Sequence, residues 1–273
     1  HAYLPKPYDH EAFIKTVNSF LGSKSSRKDK EAAIGQEADA IEADDLAFCH
    51  IKCSCLLLMK KTPGDIYVKL SDKKYVKVLS AGDSFDIEQF NRFTEKEVGY
   101  LYLTKERSQD FIHKFVEQIS NIGDLENSPD KSEFELSEDI QATFGTLSSA
   151  FGFTAEVQNL AKANVNFAIK VINRNPKLSA LLDKIYVNPN NYRASHSTAV
   201  AYLAGGLAVQ MKWDSETTLQ KLSLAALLHD ITLTSDELAT AKSLSRNLLS
   251  SDDLCLVKEH PRSAAKIAAM FGE

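Results

Sequence analysis

The 273-residue sequence predicts an α+β chain: an all-helical domain at 136–273, preceded by a small β-rich module and an N-terminal helix. Three observations predict this. After residue 136, apolar residues recur at three- and four-residue spacing through every long segment, the period of a helix with one buried face. Between 46 and 104, short stretches alternate with period two and are broken by turn residues. Two charged, apolar-poor stretches, 23–45 and 123–135, stand between these regions as linkers.

Composition narrows the function classes. Apolar residues make up 44% and charged residues 25%, ordinary for a globular protein. A net charge of −5 lacks the basic excess that nucleic acid demands, so no nucleic-acid partner is expected. No apolar run reaches the eighteen or so residues of a membrane span, and no signal peptide opens the chain. Of the four cysteines, Cys49, Cys53 and Cys55 fall on what reads as one strand, sharing a face. That spacing fits no zinc knuckle. Reduced, packed thiols in a cytoplasmic protein are the expectation.

In chain order, 1–22 reads as an extended start, a Lys6–Pro7 turn and an amphipathic helix with Phe13, Val17 and Phe20 on one stripe, ended by Gly22. Residues 23–45 switch from basic (KSSRKDK) to acidic (EADAIEADD) and read as a solvated linker. The module at 46–104 begins with a strand through Cys49–Leu57. A Pro63–Gly64–Asp65 turn follows, then a hairpin of DIYVKLS and YVKVLS, a short helix at Ile87–Phe93 and a last strand, GYLYLT. It carries no paired carboxylates and no phosphate loop, which leaves protein contact or spacing as its expected role. Residues 105–122 form a connecting helix whose stripe (Phe111, Ile112, Phe115, Val116, Ile119, Ile122) suits either docking on a neighbour or a homodimer seam. The acidic stretch 123–135 marks the next boundary.

The helical domain divides into Glu138–Phe151, Thr154–Arg174, Lys177–Ile185, Asn191–Met211, Ser215–His229, Ser235–Leu249 and Asp252–Phe271. Pro176 and Pro189 fall where helices should end. Asp214 or Ser215 is the expected N-cap of the helix ending at His229. Gly205–Gly206 inside an apolar helix costs roughly 1 kcal/mol per residue relative to Ala, and a close helix crossing would offset it.

Chemistry concentrates at His229–Asp230, where an apolar helix runs out. Neighbouring side chains on a helix point about 100° apart. The pair can therefore share a metal only if the backbone bends there or the carboxylate bridges to a second ion. A helix C-terminus favours a cation through its free carbonyls. His196 lies 33 residues upstream and His260 lies 31 downstream. The plain structural alternative is three histidines, each satisfied in separate surroundings.

The order His196 in HS, His229–Asp230 in LLHDI and His260 in EHP, on three helices, resembles the HD superfamily of metal-dependent phosphohydrolases. The nearest resemblance is to its HD-GYP branch, which hydrolyses cyclic di-GMP. It covers 136–273. The resemblance implies that His196, His229 and Asp230 hold a first metal, that Asp230 bridges and takes part in catalysis, and that His260 serves a second. It also implies two-metal attack of hydroxide on a phosphodiester. Imidazole and carboxylate ligands suit a divalent transition metal, iron or manganese ahead of zinc, with one or two ions, or none, bound. Three departures weigh against full activity. The family reads HDxGK where this chain has HDITL, with Thr232 and Leu233 replacing glycine and lysine. Tyr192 stands where some members have a Glu, which argues against a third metal. The chain also ends at Glu273, before the paired histidines and the GYP segment. Its start resembles the end of a response-regulator receiver domain, which would make Lys6 the residue that contacts a phosphoaspartate. The β module loosely resembles the small domain found ahead of HD-type domains in signalling proteins.

The expected function is thus a two-component-type signalling protein with a cyclic di-GMP phosphodiesterase-like domain, its protein partners engaging the β module. The alternative is a degenerate HD domain that docks proteins or senses nucleotides without cleaving. A third reading keeps the enzyme but changes the substrate to another phosphate ester.

Overall fold

A computed structural model describes residues 40–42, 48–71, 74–96, 98–122, 132–233, 235–244 and 249–272. The chain divides into two units, His1–Ile41 and Glu42–Glu273. The expected N-terminal helix and Lys6 lie outside the described residues, as do the linker charges at 23–39. A short strand, β1 (Ala40–Glu42), falls at the unit boundary.

The second unit opens with β2 (Phe48–Lys52), α1 (Cys53–Met59), β3 (Ile66–Ser71), β4 (Lys74–Leu79), α2 (Ile87–Glu95) and β5 (Tyr100–Thr104). These strands make an antiparallel sheet in the order β4-β3-β5-β2. Val68 sits opposite Val76 in the hairpin, and Ile51 opposite Leu101 at the far side. Alternation divides the sheet's two faces. Cys49, Ile51, Leu101 and Leu103 point into the main core, while Phe48, Tyr67 and Tyr75 form an aromatic cluster apart from it. Phe48 stacks on Tyr75 with ring centroids 3.9 Å apart.

The strand expected through Cys49–Leu57 ends early, at Lys52. Pairing with β5 stops at Lys52–Tyr100, and the chain turns into α1, so Cys49 lies on a strand while Cys53 and Cys55 lie on a helix. The run CSCLLLM has no period-two polar positions, and an apolar run that short carries no signal separating buried strand from buried helix. All three thiols are buried, and burial pushes the Cys49 thiol up to about 12, so it stays protonated at neutral pH.

Helices α3 (Ser108–Asn121), α4 (Glu133–Phe151), α5 (Ala155–Arg174), α6 (Leu178–Leu182), α7 (Tyr192–Gln210), α8 (Glu216–Leu228), α9 (Asp236–Leu244) and α10 (Ser251–Ala269) complete the unit. Helix α3 buries Phe111, Ile112, Phe115 and Ile119 and packs on α5, which uses the stripe as an internal docking face. Helix α4 starts five residues earlier than expected. Ser132 and Glu135 close a capping box in which each side chain meets the other's backbone N–H. Helix α4 also carries the contact with the β module: Thr146 Oγ1 meets His50 Nε2 of β2 at 3.1 Å, and Ser54 of α1 donates to Asp139 at 2.5 Å. One apolar core runs continuously from Cys49 through Leu228.

The glycine pair does what its helix cost suggested. A Cβ on Gly205 would strike the Ile172 terminal methyl of α5, and one on Gly206 would come within 2.8 Å of Leu181 in α6. Helix α7 therefore lies tight against both neighbours, which fixes the element that carries His196. Among the described residues no helix is long and apolar enough to cross a membrane.

Candidate metal centre

Helix ends, backbone carbonyls and long-range side-chain ties build the site. Helix α8 is started by Ser215, whose hydroxyl accepts from Thr218 N–H, and it ends at Leu228. His229 caps it and Asp230 begins the turn that follows, so the backbone leaves the helix where the two side chains need to converge. Ending the helix leaves last-turn carbonyls without helical donors. The Ala226 carbonyl meets His229 Nδ1 at 2.7 Å. A carbonyl can only accept, so Nδ1 carries the proton and Nε2 keeps its lone pair in the neutral ring. A second last-turn carbonyl, that of Leu227, accepts from Gln141 Nε2 at 2.7 Å, and Asn164 donates in turn to Gln141 Oε1 at 2.7 Å. Helices α4 and α5 thereby hold the end of α8.

His260 is set by the same logic on α10. Its Nδ1 lies 2.5 Å from the Val257 carbonyl, which again leaves Nε2 facing the site. His196, on α7, stacks against Tyr192 one turn earlier, with ring centroids 5.3 Å apart and planes 6° from parallel. Tyr192 thus occupies the position of the absent Glu as a ring support. Helix α7 is tied to the Asp230 turn by two residues the sequence did not single out. Asp236 accepts from the Tyr192 and Arg193 backbone N–H groups and pairs with Arg193 Nε at 3.0 Å. The Arg193 guanidinium also donates to the Leu233 carbonyl at 2.5 Å. An acid shortly after the HD turn, opposite a basic first turn of the helix bearing the first histidine, was the available sequence signal.

Asp230 is the centre, with its side chain 1% exposed. His229 Nε2 stands 3.2 Å from Oδ2 and His196 Nε2 stands 4.0 Å from the same oxygen. His260 Nε2 stands 3.3 Å from Oδ1. The four expected residues are therefore brought together. The carboxylate divides its oxygens, one toward His196 and His229 and the other toward His260. His196, His229 and Asp230 place donor atoms within 4.8 Å of one another.

This donor set fits a metal. Ligands bound at 2.0–2.2 Å around a tetrahedral or octahedral ion sit about 3.0–3.5 Å apart, and the His229 and His260 spacings fall in that range. His196 stands slightly wide of it. Burying a carboxylate is costly without positive charge beside it, and two imidazoles with outward lone pairs held by carbonyls are the usual support for a metal-binding His. Leu233, in contrast, is buried in a small apolar cluster with Leu238, Ala239 and Val257 and offers the site nothing.

Residues 193–273 match the family model of the HD domain, whose members are metal-dependent. No curated protein matches the chain. Among solved structures, the chain is similar to Bd1817, a HDG"Y"P protein from Bdellovibrio bacteriovorus, with 22% sequence identity and a TM-score of 0.50. The match covers 81% of this chain and 72% of that one.

Proposed function

From the premise that this chain carries an HD domain on a fold of the HD-GYP type, we propose that it is a metal-dependent phosphodiesterase acting on cyclic di-GMP or a related phosphodiester. One observation carries the reading: a buried carboxylate whose two oxygens face separate imidazoles, the arrangement a bridging ligand requires. His196, His229 and Asp230 would hold one divalent ion, iron or manganese ahead of zinc, and His260 would serve a second. When bound, such ions supply Lewis acidity toward phosphate oxygens. The protein's own contribution is orientation. The Ala226 and Val257 carbonyls keep both Nδ1 atoms protonated, so that the rings cannot turn their donor nitrogens away. His196 and His229 stay about 30% exposed, so the site is not sealed inside the core.

Purified protein reconstituted with Mn(II) or Fe(II) is expected to cleave cyclic di-GMP, with bis-p-nitrophenyl phosphate as a generic diester. His229→Ala should abolish both activities. Turnover of monoesters or nucleoside triphosphates with no diester cleavage would redirect the assignment.

Burial of Leu233 favours a second reading, in which the domain holds metal or nucleotide and docks proteins without cleaving. A site lacking the family lysine has one fewer charged donor for the substrate phosphate. Saturable cyclic di-GMP binding with no turnover at full metal loading would select this reading. The protein partners in either case belong to the β module, whose sheet packs on α4 near the site's supports. The receiver-like role of Lys6, the linker and domain boundaries, a homodimer and a cytoplasmic location complete the proposal.

A further inference from the structure

We propose that Pro261 is a positioning residue that fixes which nitrogen His260 presents to the metal centre, an inference that rests on the metal-site reading above. Proline has no N–H and is normally expelled from helix interiors, because it removes the bond to the carbonyl four residues earlier. Pro261 nevertheless lies inside α10 (Ser251–Ala269), eleven positions into the helix, with no break in the element.

The carbonyl it deprives is that of Val257, four residues back. That same carbonyl accepts from His260 Nδ1 at 2.5 Å. The two facts are one device. In an unbroken helix the Val257 oxygen would be taken by the N–H at position 261. With proline there, it is free to hold the imidazole of the residue immediately before the proline. Val257 and His260 are both buried, and a buried carbonyl calls for a partner. The ring is therefore locked in the Nδ1–H form, with the Nε2 lone pair aimed at Asp230 Oδ1, 3.3 Å away. His229 reaches the same state by another route. Its acceptor, Ala226, is freed because α8 ends. A histidine in mid-helix has no such end, and the proline creates the equivalent of one without stopping the helix.

Replacing the proline separates this role from a structural one, because the two move in opposite directions. Pro261→Ala restores a backbone donor to Val257 and a better helix former, so the apo protein should gain thermal stability. At the same time, His260 must share the Val257 oxygen with that new donor, which weakens its own bond. Nitrogen-15 NMR of the histidine rings above pH 8 should show His260 leaving the Nδ1–H form for a mixture dominated by Nε2–H, the form an unconstrained neutral imidazole prefers. Mn(II) affinity at the His260 side should fall about 10- to 100-fold, the usual loss when a ligand's supporting hydrogen bond goes, while His229 keeps its Nδ1–H signal. A His260 ring that stays Nδ1–H in Pro261→Ala overturns the proposal, whatever the metal does. Unchanged Mn(II) affinity in a variant whose ring has switched also overturns it. If wild-type protein binds no Mn(II) at all, the metal reading fails on its own, and the ring signal still decides whether Pro261 sets the tautomer.

Discussion

Gly205→Ala tests the crossing that positions His196, and its outcome can be worked from the packing around one methyl group. In an isolated helix the change would stabilise by about 1 kcal/mol. Here the new Cβ meets the Ile172 Cδ1 atom well inside contact distance, with Cγ1 at 3.4 Å and Cγ2 at 3.6 Å. A terminal methyl can swing aside only into open space, and Ile172 is fully buried, so the overlap passes to neighbouring core atoms. Overpacking of this kind costs about 1–3 kcal/mol, and the net expectation is a loss of about 1 kcal/mol. Ile172→Val removes the offending methyl and by itself costs about 0.5–1.5 kcal/mol. In the double variant the remaining approaches are ordinary contacts, so the helix gain returns and stability should come back to within about 0.5 kcal/mol of wild type. Urea unfolding of the four proteins gives the cycle, with a favourable coupling of about 1–2 kcal/mol expected. Additive losses would refute the close-crossing argument.

The other predictions concern the supports of the site. Gln141→Leu strands the Leu227 carbonyl and the Asn164 amide in the core; at about 1–3 kcal/mol for each buried unpaired group, a loss of about 2–4 kcal/mol is expected in urea unfolding, and a loss under 1 kcal/mol would contradict it. Burial, followed by the charges of Lys52 and Lys69, lowers the pKa of His50 below its ordinary 6.5. The folded state then binds fewer protons than the unfolded one, so this stability is whole above about 6.5 and is lost as pH falls toward the lower folded value. Wild-type protein should lose more stability than His50→Gln between pH 7.5 and 5.0, and parallel losses would show that the ring does not matter.

Much of the helical half was legible because its signals are local. The Ser215 cap, the apolar run ending at His229 and the glycine pair each announce one event, and the structure places each there. The convergence on Asp230 was legible only as a resemblance, since no spacing within one helix brings residues 196, 229 and 260 together. What escaped was junctions and long-range ties. Pairing of β2 with β5 stops at Lys52, which depends on where Gly99 lies: its carbonyl takes the Cys53 N–H at 3.2 Å. The Arg193–Asp236 pair spans 43 residues and the Gln141–Leu227 bond spans 86. Two signals were present but unread: the Ser132–Glu135 box that starts α4, and a proline directly after a histidine in the interior of the last helix.

In the proposed site the Asp230 carboxylate gathers divalent metal between His229 and His260. Mn(II) titration of the metal-stripped protein, followed by the electron paramagnetic resonance of the free ion, measures this for wild type and for Asp230→Asn, which keeps the shape and removes the charge. Saturable binding of one or two ions per chain, weakened at least 100-fold in Asp230→Asn, is the predicted result; wild-type protein that leaves all Mn(II) free, or a variant that binds it equally well, would contradict the account.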